Sequence, residues 1–507
     1  MPGVKREIQS LYSGGSAKSA ARNSAFVPLC GRTAFGLWLS APVLLLLAGC
    51  VSYQPQPLSP GRSAEQLENR SLTNLALHTF LERNLHRELA PWPARTWDVD
   101  MLTLAAFYYH PSLEVARADW RITAAGMETA AERPNPTVTV SGIHEPVPDA
   151  PSPWIPAIIF DLPIETAGKR RVRTEQARHL SEAARLNVTT AAWQVRSNLR
   201  AALLDFVAAQ QRLALLQQQL ALRDDQASRL KSQFQAGAIS AFDLNAARLA
   251  LVRARADLTD AQRLLAEARP RLAGAMGVPE AALGDTTFEF DLQAVSVAEG
   301  LTTREARRLA LLGRADILGA LADYAASQSA LQLEVAKQYP DVHLSPGYSW
   351  NGGSAGEHDW QLGLNVELPL LNRHKGPIAE ATARREATAA RFLALQARVM
   401  GDIDAAIASF RSSQTNIAAL DALASAQADQ VGSVVQQLQA GAVDRLELLA
   451  ARLELNSAAL ARLDAQIKLN QALGALEDAV QRPVFGTPAA APAPDSALLQ
   501  AKPTAAR

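Results

Sequence analysis

The sequence predicts a mainly α-helical fold of two tandem repeats, each joining a β-hairpin to long coiled-coil helices, with a small transmembrane β portion. Three observations lead there: an internal duplication, runs without Gly or Pro far longer than a globular helix, and strands of strict apolar and polar alternation. The duplication is plainest at Phe234-Gln-Ala-Gly-Ala-Ile-Ser-Ala-Phe-Asp-Leu244, which returns as Leu438-Gln-Ala-Gly-Ala-Val-Asp-Arg-Leu-Glu-Leu448. Gly237 then matches Gly441, an offset of 441 − 237 = 204 residues. Pro136 matches Pro340 at that offset, and Leu199, Phe206 and Leu213 match Ile403, Phe410 and Ile417. Phe160-Asp-Leu-Pro163 and Val366-Glu-Leu-Pro369 differ by two residues more, as a change in loop length would cause. A unit of roughly 200 residues is far longer than a solenoid repeat. Each half reads as helix, two strands, very long helix, tight turn and long helix.

Residues 1–49 read as a signal peptide. Lys5, Arg6, Lys18, Arg22 and Arg32 precede an apolar run from Ala34 to Ala48, too short to remain as a spanning helix, and a small-residue processing site follows. Leu47-Ala-Gly-Cys50 resembles the lipobox of bacterial lipoproteins, which implies acylation of Cys50 as the new N-terminus; the alternative is an ordinary signal peptide with a chance cysteine. Cys30 and Cys50 are the only cysteines, so a disulfide framework is excluded. Val51 to Arg62, with three prolines, and the Ala/Pro-rich tail at 483–507 read as linkers.

The helical runs come next. Lys169 to Ala236 contains neither Gly nor Pro, which at about 1.5 Å per residue gives roughly 100 Å of helix. Ile378 to Ala440 lacks Pro and carries only Gly401 and Gly432 as weak points. Shorter helices are expected from about Leu102 to Glu132 and from about Ser240 to Arg269. Leu199, Phe206, Leu213 and Leu220 repeat every heptad beside Ala202, Ala209 and Leu216, while Gln210, Gln211, Gln217 and Gln218 take other faces. A solid coiled-coil rod would satisfy these helices equally well.

The strands speak against the rod. Val342, Leu344, Pro346, Tyr348 and Trp350 alternate with His343, Ser345, Gly347 and Ser349, and Trp360, Leu362, Leu364, Val366 and Leu368 alternate with Gln361, Gly363, Asn365 and Glu367. Nine-residue strands of this kind with aromatics toward one end carry the transmembrane β-barrel pattern. A Gly-rich loop, Asn351 to Gly356, joins them. The first repeat offers a noisier hairpin, Thr137 to Ile143 and Trp154 to Leu162. Four strands cannot close, and an open edge is not tolerated in lipid, so the barrel must be shared between chains.

Together these features resemble the TolC-like outer membrane factors of bacterial tripartite efflux pumps, over about Met101 to Pro483. The resemblance implies a homotrimer in the outer membrane, with a twelve-stranded barrel and an α-helical tunnel through the periplasm. Residues 50–100 would form a lipidated linker and equatorial segment, 101–290 the first efflux repeat and 301–482 the second. The turns at Gly237-Ala238 and Gly441-Ala442 would form the periplasmic tip that meets an adaptor protein, itself coupled to an inner-membrane pump of the resistance-nodulation-division (RND) type. Asp243 and Glu447, six residues past each glycine, match acidic tip positions and would ring a narrow entrance; capping the N-terminus of the following helix is the alternative for either. Val443 stands where an arginine can form a closing latch in relatives, which puts such a latch in doubt despite nearby Asp444 and Arg445. Gly168-Lys169-Arg170-Arg171 resembles a run found in heavy-metal efflux members, or is a solvated basic helix start.

Other chemistries are not supported. Fifty basic and fifty acidic residues give no net charge, hence no case for nucleic-acid binding. Eight histidines include no HExxH or i, i+4 pair, no phosphate loop or nucleophile elbow occurs, and no metal, cofactor or enzymatic activity is expected. His343, by its place in the alternation, reads as polar lumen lining. The expected function is a passive exit duct for drugs or metal ions. The alternatives are the duct of a type I protein secretion system and a periplasmic coiled-coil lipoprotein without a pore.

Overall fold

The computed structural model describes residues 53–144, 154–293, 302–351 and 357–483. The signal peptide, Cys50, most of the Gly-rich loop after Asn351 and the tail after residue 483 lie outside them. The chain divides into one unit up to Pro60 and a second from Gly61 onward. Tyr53 to Ser59 of the first unit has no regular structure.

The elements follow in order: α1 Pro60–Glu68, α2 Leu75–Leu85, β1 Thr96–Trp97, α3 Val99–Tyr109, α4 Pro111–Ala131, β2 Thr137–His144, β3 Trp154–Ile164, α5 Lys169–Gln235 and α6 Ala241–Met276. A short 3-10 turn and β4 Thr287–Phe288 close the first repeat. The second supplies α7 Thr303–Gly313, α8 Ala315–Ala336, β5 Val342–Asn351, β6 Glu357–Val366, α9 Lys375–Gln439 and α10 Arg445–Val480. The two long helices run 67 and 65 residues, so both long stretches, the second through Gly401 and Gly432, do fold as single helices of roughly 100 Å.

Two expectations need correction. The helix expected from Leu102 to Glu132 is broken at His110. Pro111 has no N–H and starts a new helix at its first position, while the His110 side chain accepts from Ser112 N–H. The helix expected to stop near Arg269 instead runs through Pro270 to Met276 and ends at Gly277, whose φ of 74° is left-handed. Leu272, Ala273 and Met276 beyond the proline are buried, and that packing outweighs the one hydrogen bond Pro270 cannot make.

The main core gathers at the middle of α5. Leu199, Leu203, Leu204 and Phe206 pack there with Leu102 and Leu113, with Leu272 and Met276, and with Leu77 and Leu81 of α2. The parallel pair β1 and β4, Thr96↔Thr287 and Trp97↔Phe288, sits against it. A second, smaller core repeats the arrangement around Val399, Ile403 and Ile407 of α9 with Leu476 and Val480 of α10. The matched pair Leu199 and Ile403 thus does the same job in each repeat. Toward the turn the heptad seam loosens, with Leu213 and Leu220 only half-buried, and all four glutamines are exposed.

The remaining strands form one antiparallel sheet in the order β2-β3-β5-β6. Register keeps like with like. Leu344↔Leu364, Pro346↔Leu362 and Tyr348↔Trp360 lie on one face, and His343↔Asn365, Ser345↔Gly363 and Gly347↔Gln361 on the other. The return strand spans Glu357–Val366, so Leu368 falls outside it although its alternation continues. Its partner begins at Val342, which pairs with Val366, and residues beyond have nothing to bond to. The first hairpin extends slightly further than expected, to His144 and Ile164.

Candidate functional site

Two places carry the features a conduit needs: the turns at the far ends of the long helices and the two faces of the sheet. The turns are alike. α5 ends as Ala238 N–H donates back to Gln233 O at 2.9 Å, with Gly237 at φ 72°, and α9 ends as Ala442 N–H donates to Gln437 O at 2.9 Å, with Gly441 at φ 74°. Both are Schellman-type endings that require a residue free to adopt positive φ. The duplication seen in sequence is therefore a duplication of backbone geometry.

The two acids after the turns differ. Ser240 caps α6, its Oγ accepting from Asp243 N–H at 3.2 Å and donating to Asp243 Oδ2 at 2.7 Å, while Ser240 N–H donates to the same carboxylate at 3.3 Å. Asp243 is thus occupied in a capping box. In the second repeat Asp444 is the cap, its Oδ1 accepting from Glu447 N–H at 2.9 Å. The exposed Glu447 carboxylate has no hydrogen-bond or ion-pair partner among the described residues. Val443 is half-buried, and the nearby arginine reaches back to α5: Arg445 Nε lies 3.9 Å from Asp225 Oδ2, and Arg229 Nε lies 2.8 Å from Asp225 Oδ1. No local sequence pattern signals this contact across the repeats.

The sheet presents its apolar face to the outside. Val140, Leu362 and Leu364 are each more than two-thirds exposed, and Trp360 is 83 % exposed, an area that in water would be an adhesive patch. Aromatic side chains collect at the hairpin end, where Tyr348 and Trp360 approach to 5.0 Å and His144 and Trp154 to 4.8 Å, as in a membrane-interface girdle. On the polar face His343 Nδ1 lies 3.0 and 3.1 Å from the two oxygens of Asp161. The histidine that read as simple polar lining is therefore half of a pair.

At the junction of sheet and helices the basic run is only partly solvated. Lys169 is buried, its Nζ 2.8 Å from Asp341 Oδ1. Arg170 donates to Ala131 O at 2.6 Å, and Arg173 donates to Ala130 O and Glu132 O at 2.9 Å. These residues cap the carbonyls that the end of α4 leaves open. A cavity of about 880 Å³ lies between α5, α8 and α9, with Asp323, Glu334 and Arg384 on its wall; burial pushes the Asp323 carboxyl up. Among the described residues no cluster of potential ligands could hold a metal ion, and no helix is long and apolar enough to cross a membrane.

The comparisons agree with this architecture. The family described as outer membrane efflux protein matches residues 108–278 and 306–480, the two repeats. No curated protein sequence matches the chain. Among solved structures it is similar to the outer-membrane channel OprN, at 19 % identity and TM-score 0.63 over 85 % of this chain and 98 % of that one. It is also similar to the outer membrane protein VceC of Vibrio cholerae, at 19 % and 0.62 over 76 % and 97 %. The MtrE outer membrane channel of Neisseria gonorrhoeae gives 18 % and 0.62 over 76 % and 89 %. At these identities the structures establish a shared fold, and the family match establishes the rest: the chain belongs to the outer membrane efflux protein family, non-enzymatic outer membrane channels that reach into the periplasm and work with an adaptor and an inner-membrane pump.

Proposed function

We propose that the chain assembles as a homotrimer, anchored by acylated Cys50, and serves as the exit duct of an RND-type pump for drugs or metal ions. The observation that carries this reading is the open sheet. β2 and β6 are edges within the chain, and lipid does not tolerate unpaired backbone groups. Two copies would give eight strands, an interior that side chains alone fill, whereas three give twelve and leave a lumen. The helices support the same assembly. Gly319 and Ala326 of α8 lie against α5, where a Cβ on Gly319 would sit 3.7 Å from Leu186 Cβ and Ala326 is 3 % exposed. Their repeat equivalents on α4 are Val115 and Ile122, which are 61 % and 69 % exposed. Covering them requires the α9 of a neighbouring copy, as α5 covers α8 within one copy.

At the tip, Gly237-Ala238 and Gly441-Ala442 are the adaptor contacts, and Glu447, with its carboxylate unengaged, lines the entrance together with Asp243. Protein purified in detergent should have the mass of three chains and open channels in planar bilayers. A monodisperse monomer overturns the reading.

A further inference from the structure

The polar face of the sheet holds a titratable cluster far from the tip. His343 is the second residue of β5, and Asp161 lies near the end of β3 that leads into α5. Besides the two close approaches of His343 Nδ1, Ser345 Oγ donates to Asp161 Oδ1 at 3.4 Å. Other charged groups flank His343 on the strands and segments beside it among the described residues. On the β3 side, Asp161 faces it, and Glu165 beyond is held by Arg173 Nη1 at 2.6 Å. Before it on its own chain segment, Asp341 is held by Lys169 Nζ and by Thr166 N–H, each at 2.8 Å. On the β6 side it pairs with neutral Asn365, and Glu367, two residues on, is exposed with no hydrogen-bond or ion-pair partner among the described residues. Two carboxylates thus have fixed cations, and Asp161 and Glu367 do not. Among the described residues, the basic side chain in contact with Asp161 is the His343 imidazole.

The duplication makes this asymmetry meaningful. Asp161 matches Glu367, so the acid recurs in both repeats. His343 matches Thr139, since 343 − 204 = 139, so the imidazole occurs in one only. We propose that the Asp161–His343 pair is a proton-sensitive filter for cations on the lumen face of the barrel, at its helix-proximal end. The inference rests on the trimeric barrel proposed above. With a neutral imidazole each pair carries one negative charge and favours cations passing through the lumen; with a protonated imidazole the pair is neutral and the preference relaxes. Imidazole is the side chain whose ordinary titration falls between about pH 5 and 8. The permeant species is defined by its charge: inorganic cations and cationic organic solutes.

A competing role is purely structural. Pro346 has no N–H to give to β3, and the β3–β5 register shows no bonded pairs at Phe160 and Asp161. A side-chain bond across that gap would hold the register without affecting conduction.

Reversal potentials in a potassium chloride gradient separate the roles, measured on purified full-length trimers in planar bilayers at about pH 8 and about pH 5. In wild type the preference for potassium over chloride should fall about two-fold toward the lower pH. His343→Gln should keep the high-pH preference at both, Asp161→Asn should show the reduced preference already at the higher pH and fall further as its remaining imidazole gains a charge, and Glu447→Ala, at the tip, should leave the fall intact. Thr139→His guards against a His343 variant that fails to assemble: it adds an imidazole beside a neighbouring Glu367 and should enlarge the fall. A pH-independent wild type, the same fall in His343→Gln as in wild type, or no enlargement in Thr139→His overturns the filter while leaving the channel reading intact. Wild-type protein that forms no channel overturns the trimeric barrel, and the filter with it.

Discussion

Asp243 and Glu447 occupy matching positions yet face different demands. The first is tied into a capping box by Ser240, whereas the second leaves capping to Asp444 and keeps its carboxylate unengaged. Glu447→Ala should therefore lower cation preference and weaken block by trivalent cations. Asp243→Ala should chiefly destabilise, by about 0.3–1 kcal/mol. Bilayer recording and thermal unfolding of both variants check this; unchanged reversal potentials in both remove these residues from the entrance ring. Glycines divide in a similar way. Gly237 and Gly277 share a left-handed φ, but a Cβ on Gly277 would lie 2.9 Å from His110 Cα, whereas nothing lies within 4 Å at Gly237. Gly237→Ala should cost about 1–2 kcal/mol, the conformational penalty alone. Gly277→Ala should cost distinctly more, read as a larger drop in Tm, because α3 must move. The need for glycine at the turns was legible in the repeated motif. The additional need at Gly277 was not, because the close approach there comes from His110, far away in sequence.

Among the elements, the sheet offers the sharpest contrast between its two faces. Leu364 and Asn365 are neighbours whose side chains belong to opposite faces. Leu364→Arg should impair assembly by about 2–4 kcal/mol per chain, whereas Asn365→Arg should assemble and alter conductance instead. Native gel mobility and single-channel recording test the pair, and equal tolerance of both would contradict the face assignment. These faces were readable because alternation is a local property. The first hairpin was harder to read, since Ile143, Ile155 and Ile159 put apolar side chains on the otherwise polar face. The long helices were readable for a related reason: an absence of Pro, and in the first of them of Gly as well, is visible residue by residue. The break at Pro111 and the passage through Pro270 were misjudged because a proline's effect depends on whether packing beyond it holds the helix.

At the scale of the molecule, the attachment to the membrane proposed above has two sources, the barrel and an acyl chain on Cys50. One acyl chain gives only marginal binding, so Cys50→Ser should abolish labelling by radioactive palmitate while leaving the protein in the outer membrane fraction. Equal labelling of both proteins would contradict lipidation. Fractionation that releases the variant would contradict the leading role given to the barrel.

The sequence by itself determined the duplication, the long helices, the two-faced strands and the turn glycines, because each is a periodicity or a local backbone requirement. Only the tertiary structure decided the pairings: Asp161 with His343, Lys169 with Asp341, Arg445 with Asp225, and Gly277 against His110. Each of them joins residues that strand register and helix rotation bring together, and a contact set by those quantities leaves no trace in the pattern of either segment alone.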